Sequence, residues 1–223
     1  MFISFRSNNF CRGDWSRLKR FSKCLYFQQD QTIFTQGDPI CEISLIFQGS
    51  VQLIRYEGDN ILHSRVVQFL RSGDIVSVTG LLGKPYYCTG AIALTASCLY
   101  SIRLEEWQQF CKQYPNLVRA ILSNILDQKE RANRHASILH GVSARSKLVG
   151  LFMEMGEMYG HPENNALKID LTLTDTKLAR MIGLSRETIN REINVLKRKN
   201  LVRRKGKYLF LLDLHGINDI LCE

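Results

Sequence analysis

Residues 174–196 read TDTKLARMIGLSRETINREINVL, and this stretch constrains the fold more than any other. Thr174 or Asp175 can cap a helix, because a side-chain oxygen at that position accepts from the unpaired N–H groups of the first turn. A helix over about 175–182 then ends at Gly183, and Ser185 caps a second helix running to about Lys199. Leu178, Ile182, Ile189 and Ile193 fall on the inward faces. Two helices that cross steeply need a small residue at the crossing and a tightly turning residue between them. Ala179 and Gly183 supply these, and the pattern is that of a helix-turn-helix.

The second helix of such a pair enters the DNA major groove by its N-terminal end. Arg186, Glu187, Asn190 and Arg191 project on one face, because 186 and 190, and 187 and 191, are i, i+4. Arginine matches guanine O6 and N7, and glutamate accepts from the cytosine amine, so these four are the expected base readers. Glu187 and Arg191 also suit an i, i+4 surface pair, worth about 0.2–0.5 kcal/mol, in which Glu187 holds Arg191 in place. Lys177, Ser185, Thr188 and Lys197 are expected at phosphates. After Leu201 the chain reads VRRKGKYLFLL. Gly206 between basic residues predicts the turn of a β-hairpin wing. Its Arg203, Arg204, Lys205 and Lys207 should also meet phosphates, which position a protein without reading sequence.

Charge distribution points the same way. From Lys177 to Lys207 there are eleven Lys and Arg against two acids, Glu187 and Glu192. That net +9 equals the formal charge of the whole chain, gathered into 31 residues. Such a cluster is the footprint of a polyanionic partner.

Other function classes find little support. No apolar run approaches the ~20 residues that span a bilayer. The start, MFISFRSNNFCR, lacks the roughly 7–15-residue apolar core of a secretory signal, so a cytoplasmic protein without membrane attachment is expected. The seven cysteines (11, 24, 41, 88, 98, 111 and 222) are widely spaced, with no CxxC pair, which predicts free thiols and no zinc site. A redox role for Cys11, Cys24, Cys88 or Cys98 stays open. A metal-dependent enzyme would need several histidines in one pocket. His63 is the one histidine of the strand-rich region, and the others lie at 135, 140, 161 and 215, so no enzyme is expected.

The chain divides into three parts by pattern. Residues 1–114 open with a short helix around Trp15–Phe21. Apolar runs then alternate with glycine turns: ISLIF (43–47), SVQLIRY (50–56), HSRVVQFL (63–70), DIVSV (74–78), TGAIALT (89–95) and CLYSIRL (98–104). The breaks include Gly49, Gly58–Asp59–Asn60 and Gly73–Asp74. This predicts an antiparallel sandwich or barrel. Over 115–139 the period becomes helical. Val118, Ile121, Ile125, Gln128, Ala132, His135 and Leu139 fall at alternating three- and four-residue steps, an a/d seam suited to a dimer. The alternative is a helix packed on its own β domain. Residues 140–223 begin with a hinge at His140–Ser143. A helix over Ala144–Tyr159, a loop over Gly160–Asn165, a strand over Leu167–Leu173, the helix-turn-helix and the wing follow.

These motifs resemble the CRP/FNR superfamily of bacterial regulators. SRETINR (185–191) is similar to SRETVGR of the family's catabolite activator, and TIFTQGDP (32–39), FQGSV (47–51) and LRSGDIV (70–76) resemble its cyclic-nucleotide-binding β-roll. The likeness covers about residues 20–214. It implies an α+β chain: an N-terminal β-roll (jelly-roll-like), a long dimerisation helix and a C-terminal winged helix-turn-helix. It also implies a homodimeric transcription activator that contacts RNA polymerase and binds palindromic double-stranded DNA with TGTGA-like half-sites. Arg186, Glu187 and Arg191 match its three base-reading positions.

The effector pocket departs from that pattern. The family's GELGLF reads SVTGLL here (77–82), so the ribose-binding Glu is Val78, and its Arg-Ser pair falls on Tyr87–Cys88. A cyclic nucleotide phosphate would meet no cation, so cyclic AMP is not expected. Cys11, Cys24 and Cys98 do not complete an FNR-type iron–sulfur ligand set, so no cofactor is expected. SVTGLL and ALTASCLYSI (93–102) resemble the cyanobacterial nitrogen regulators, but their 2-oxoglutarate-binding arginines align with Tyr87 and Gln128. Val78, Thr79, Gly80, Tyr87, Cys88 and Gln128 are the expected lining of any pocket, whose ligand the sequence does not name.

Overall fold

The computed structural model describes residues 10–56 and 64–222, which form two compact units, one ending at Asn133 and the other starting at Arg134. The expected turn at Gly58–Asp59–Asn60 and His63 lie outside the described residues. The division falls inside the long helix rather than at either of its ends.

The first unit is the expected antiparallel β-roll. Helix α1 (Arg12–Phe21) leads into β1 (Lys23–Phe27), β2 (Thr32–Phe34), β3 (Glu42–Gln48), β4 (Ser50–Tyr56), β5 (Ser64–Arg71), β6 (Gly90–Ala93) and β7 (Ser97–Arg103). One sheet runs β1-β7-β3 and the other β2-β6-β4-β5, all antiparallel. Strand β7 is buried from Ser97 to Ile102, so both its faces are covered. The two-residue period sends Leu99 into a cluster with Ile46, Val51, Leu70 and Val76. It sends Tyr100 and Ile102 to the opposite side, against Leu18, Phe110, Leu117 and Ile121. Each such apolar side chain contributes about 1.5–3 kcal/mol by leaving water. The polar residues of the central strands pair with each other: the Ser44 and Ser101 hydroxyls lie 2.5 Å apart. Gly49 joins β3 to β4 at φ +89°, and a Cβ there would lie 2.4 Å from the Ala96 carbonyl oxygen, so only glycine fits.

One sequence expectation needs correction here. DIVSV (74–78) is not a strand. It pairs with β3 through Ile46 N–H to Asp74 O (3.0 Å) and Val76 N–H to Ser44 O (2.9 Å), then turns into a 3-10 segment over Val78–Leu82. A further helix, α2 (Leu104–Gln113), follows β7 and seats the fully buried Phe110.

The long helix α3 (Pro115–Leu139) has the expected bounds, and three positions of the expected seam are buried within the chain while Val118, Ile125, Ala132 and Leu139 are half-buried. Ile121 and Gln128 are 1% and 5% exposed, buried in their own unit. Gln128 Nε2 donates to Ile75 O (3.1 Å), and Asn124 Nδ2 donates to Gly73 O (3.1 Å). His135, in the second unit, is fully buried with Nδ1 2.7 Å from the Glu154 carboxylate. Ile121, Gln128 and His135 of the seven-residue rhythm therefore record packing within the chain. Leu122 and Leu126 are exposed instead, with Val118, Ile125 and Ala132 half-buried beside them.

The second unit holds α4 (Ala144–Tyr159), β8 (Gly160–Glu163), β9 (Ala166–Ile169), α5 (Asp175–Ile182), α6 (Arg186–Arg198), β10 (Val202–Lys205), β11 (Tyr208–Leu211) and α7 (Leu214–Cys222). Its sheet runs β10-β11-β9-β8. The connection at 140–143 ends in a cap, Ser143 Oγ accepting from Ser146 N–H (3.0 Å). The expected loop over Gly160–Asn165 is the first strand of a hairpin. Asn164 and Asn165 turn it at φ +47° and +58°, a geometry asparagine tolerates. The strand expected over Leu167–Leu173 stops at Ile169. Leu148, Leu151, Phe152 and Met155 are buried on one face of α4, as their spacing predicts. Among the described residues no helix is long and apolar enough to cross a membrane.

Candidate nucleic-acid interface

The two helices of the motif are capped and joined as the sequence predicts. Thr174 Oγ1 accepts from Lys177 N–H (3.2 Å), and Ser185 Oγ accepts from Thr188 N–H (3.1 Å). Gly183 ends α5 at φ +68°, and Leu184 N–H reaches back to Ala179 O (3.0 Å). Leu178, Ala179, Met181 and Ile182 of α5 are buried, as are Ile189, Ile193 and Leu196 of α6. A Cβ on Gly183 would meet nothing within 4 Å, so the cost of adding one is backbone conformation alone. Gly183→Ala should lower the stability of this unit by about 1–2 kcal/mol, read by urea denaturation, and Gly183→Asn should lower it less.

Once the apolar stripe is buried, α6 presents Arg186, Glu187, Asn190 and Arg191 to solvent. Glu187 sits in the first turn. Its own backbone N–H, then the Ser185 hydroxyl and the Arg186 charge, hold its carboxyl below the usual range. It is therefore an ionised acceptor at neutral pH. The expected Glu187–Arg191 pair does not form. Arg191 Nε lies 3.3 Å from Glu192, which also binds Arg145 Nε at 3.0 Å. Glu192 is buried, so these two arginines neutralise it, while the Arg191 side chain stays 69% exposed.

The wing is β10 and β11 joined at Gly206–Lys207, with Lys205 paired to Tyr208. Arg203, Lys205 and Lys207 are exposed, as is Lys197 on α6. Arg203 lies over the Phe210 ring, 5.2 Å from its centroid. Arg204 departs from expectation. Its guanidinium pairs with Asp175 and donates to Leu173 O (2.6 Å), leaving the side chain 19% exposed. Asp175 also accepts from Asn190 Nδ2 (3.3 Å), while Asn190 Oδ1 accepts from Asn194 (3.1 Å). Burial pushes the Asp175 carboxyl up, but Arg204 and Asn190 outweigh it and hold the pKa below the ordinary value. Arg204 is thus the bolt between wing and helix pair rather than a surface cation, and Asn190 is tied to the same carboxylate. Sequence reasoning offers Asp175 only as a helix cap and misses this role because its partners lie 15 and 29 residues away. Thr188 is half-buried with its hydroxyl 3.0 Å from that of Ser185, and Lys177 is half-buried. A cleft of about 350 Å³ opens among Thr174, Arg186, Gly206 and Lys207. Cations, backbone N–H groups and two helix N-termini thus meet on one surface, the arrangement that binds phosphates.

The expected effector residues lie in the first unit. Val78 packs at the edge of the core, and Gly80 is buried, with room for no Cβ beside Ile40 and Ile43. Tyr87 stacks on Phe34, centroids 3.6 Å apart and planes 8° apart. Burial, then the Glu42, Cys41 and Asp38 side chains, push its hydroxyl up to about 12. Cys88 and the neighbouring Tyr86 are exposed, and Thr79 is half-buried. Gln128 Oε1 and Ser77 Oγ are buried with no hydrogen-bond partner among the described residues.

Residues 24–114 match the cyclic nucleotide-binding domain, and residues 146–220 match the Crp-like helix-turn-helix domain. The chain is 28% identical over 178 residues to the global nitrogen regulator of Synechocystis sp., covering 79% of this chain and 78% of that protein. It is 23% identical to electron transport regulator A of Shewanella oneidensis, covering 86% and 75%. Among solved structures, the regulator CLP of Xanthomonas campestris superposes with a TM-score of 0.78 at 23% identity, over 91% of this chain and 100% of that one. A CRP/FNR-family regulator of Thermus thermophilus superposes with a TM-score of 0.74 at 20% identity, over 90% and 99%.

Proposed function

We propose that this chain, which belongs to the CRP/FNR superfamily of DNA-binding transcription regulators, works as a homodimer that reads a palindromic promoter site. The observation that carries this reading is the exposed Arg186–Glu187–Arg191 face on a helix capped and buried on its other side. Arg186 and Arg191 address guanines, and Glu187 accepts from a cytosine amine, as in a TGTGA-like half-site. Lys197, Arg203, Lys205 and Lys207 hold the phosphates on either side. The dimer forms along α3 through Leu122 and Leu126, flanked by Val118 and Ile125. It acts in the cytoplasm as an activator, in contact with RNA polymerase.

The signal is not cyclic AMP. Where that ligand's phosphate would need a cation, Tyr87 lies near Glu42 and Asp38. A small polar effector would instead reach Ser77 Oγ and Gln128 Oε1, two buried groups with hydrogen-bonding capacity to spare.

Arg186→Ala and Arg191→Ala should each weaken binding to the specific site by about 1–3 kcal/mol and relax preference at one base pair. Binding to random DNA should change far less. Lys207→Ala should weaken both together and reduce the salt slope by about one. Gel-shift titrations at several salt concentrations separate these cases. Equal losses on specific and random DNA for the arginine variants would remove them from the base-reading set.

A further inference from the structure

Strand β1 runs beside β7 in a register that pairs Cys24 with Tyr100 and Tyr26 with Cys98. Cys24 and Cys98 are therefore diagonal neighbours on one face of the sheet, and their sulfurs lie 2.8 Å apart. A disulfide bond is ~2.05 Å, so bonding requires the sulfurs to close by about 0.8 Å. This is the one sulfur–sulfur contact among the described residues. Cys11, Cys41 and Cys88 are exposed without a thiol neighbour among those residues, and Cys111 is half-buried.

The two members of the pair differ in access. Cys98 is 7% exposed, while Cys24 is half-buried on the edge strand of its sheet. The exposed Tyr26 shares that face of the sheet with both side chains. Burial, then the neighbouring Cys24, push the Cys98 thiol up, and its lower exposure leaves Cys24 as the sulfur that meets an oxidant first.

We propose that Cys24 and Cys98 form a reversible disulfide when the protein meets a hydroperoxide. The Cys24 sulfur attacks the peroxide oxygen; the O–O bond breaks, water or an alcohol leaves, and Cys24 becomes a sulfenic acid. The Cys98 sulfur then attacks the Cys24 sulfur. The S–O bond breaks, a second water leaves with the Cys98 proton, and the S–S bond forms. The two electrons lost by the thiols have reduced the peroxide. A dithiol returns them and restores both thiols. The bond ties the edge strand β1, and α1 ahead of it, to the central strand β7. This modification stands independently of the DNA-reading surface.

The test is peptide mapping of the full-length protein, treated with hydrogen peroxide, alkylated and digested without reductant. The expected product is a linked pair of peptides carrying Cys24 and Cys98, lighter by two hydrogens than the separate peptides. It should vanish on dithiothreitol treatment and in Cys24→Ser, and persist in Cys41→Ser and Cys88→Ser. The oxidised protein should also melt at a higher temperature than the reduced one, with no such rise in Cys24→Ser. Recovery of Cys24 and Cys98 in alkylated form while exposed cysteines oxidise, or crosslinks joining other cysteines instead, would overturn the proposal.

Discussion

Arg131→Ala should lower the unfolding free energy of the β-roll unit by about 3–5 kcal/mol, the cost of leaving a buried charge without its partner. The Arg131 guanidinium lies 2.5 Å from both oxygens of Asp74, and the two side chains are 10% and 3% exposed. The same stretch of α3 donates from Asn124 to Gly73 O and from Gln128 to Ile75 O. Gln68 Nε2 returns a bond to Gln128 O (2.9 Å). The helix is thus latched to the 73–75 turn by polar groups beside its apolar contacts. Burial pushes the Asp74 carboxyl up, more strongly than Arg131 pulls it down. Without Arg131 only the raising influence of burial and the weaker bonds from Arg71 remain. A folded-state pKa above the unfolded one means that the native state takes up the proton first. Part of the lost stability should therefore return as pH falls from the raised pKa towards the ordinary carboxylate value. Both tryptophans, Trp15 and Trp107, lie in this unit, so urea denaturation followed by tryptophan fluorescence reads it directly. A loss below about 1 kcal/mol, the range of an exposed pair, would mean that this one is dispensable.

The second large effect belongs to α3's outer face. If the proposed dimer holds, Leu122→Asp with Leu126→Asp should give a monomer and cut affinity for the palindromic site roughly 10²–10⁴-fold, the contribution of engaging two half-sites through one body. Both leucines are exposed, at 55% and 64%, so the substitutions put charge where there is now apolar surface and leave the roll core untouched. Sedimentation should give the monomer mass, with an unchanged far-ultraviolet circular dichroism spectrum. A dimer that persists in this variant would place the interface elsewhere.

Legibility in the sequence follows the range of the interactions. The caps at Thr174 and Ser185, the turn at Gly183 and the wing turn at Gly206 are local chemistry, and the structure has each of them where the residues put it. The β-roll follows from two-residue alternation and glycine breaks. The periodicity on α3 mixes two kinds of burial because this helix has two partially apolar faces. The spacing marks Ile121 and Gln128 as special, but cannot tell burial in the same chain from burial against another. Long-range polar contacts leave no local trace. Arg131 meets Asp74 across 57 residues, Arg204 meets Asp175 across 29, and Cys24 meets Cys98 across 74. Each depends on a strand register or helix crossing that no local pattern encodes. The basic neighbours of Arg204 point it towards phosphate, whereas one carboxylate on another element draws it inward.

If α6 of each protomer reads one half of a two-fold-symmetric site, the bound sequence itself must carry that symmetry. Selection of bound sequences from random double-stranded DNA by the full-length protein tests this most directly. The expected result is an inverted repeat with half-sites about one helical turn, ~34 Å, apart, each carrying guanines and a cytosine that Arg186, Arg191 and Glu187 can address. Enrichment of a single unrepeated motif, or of no motif at all, would contradict it.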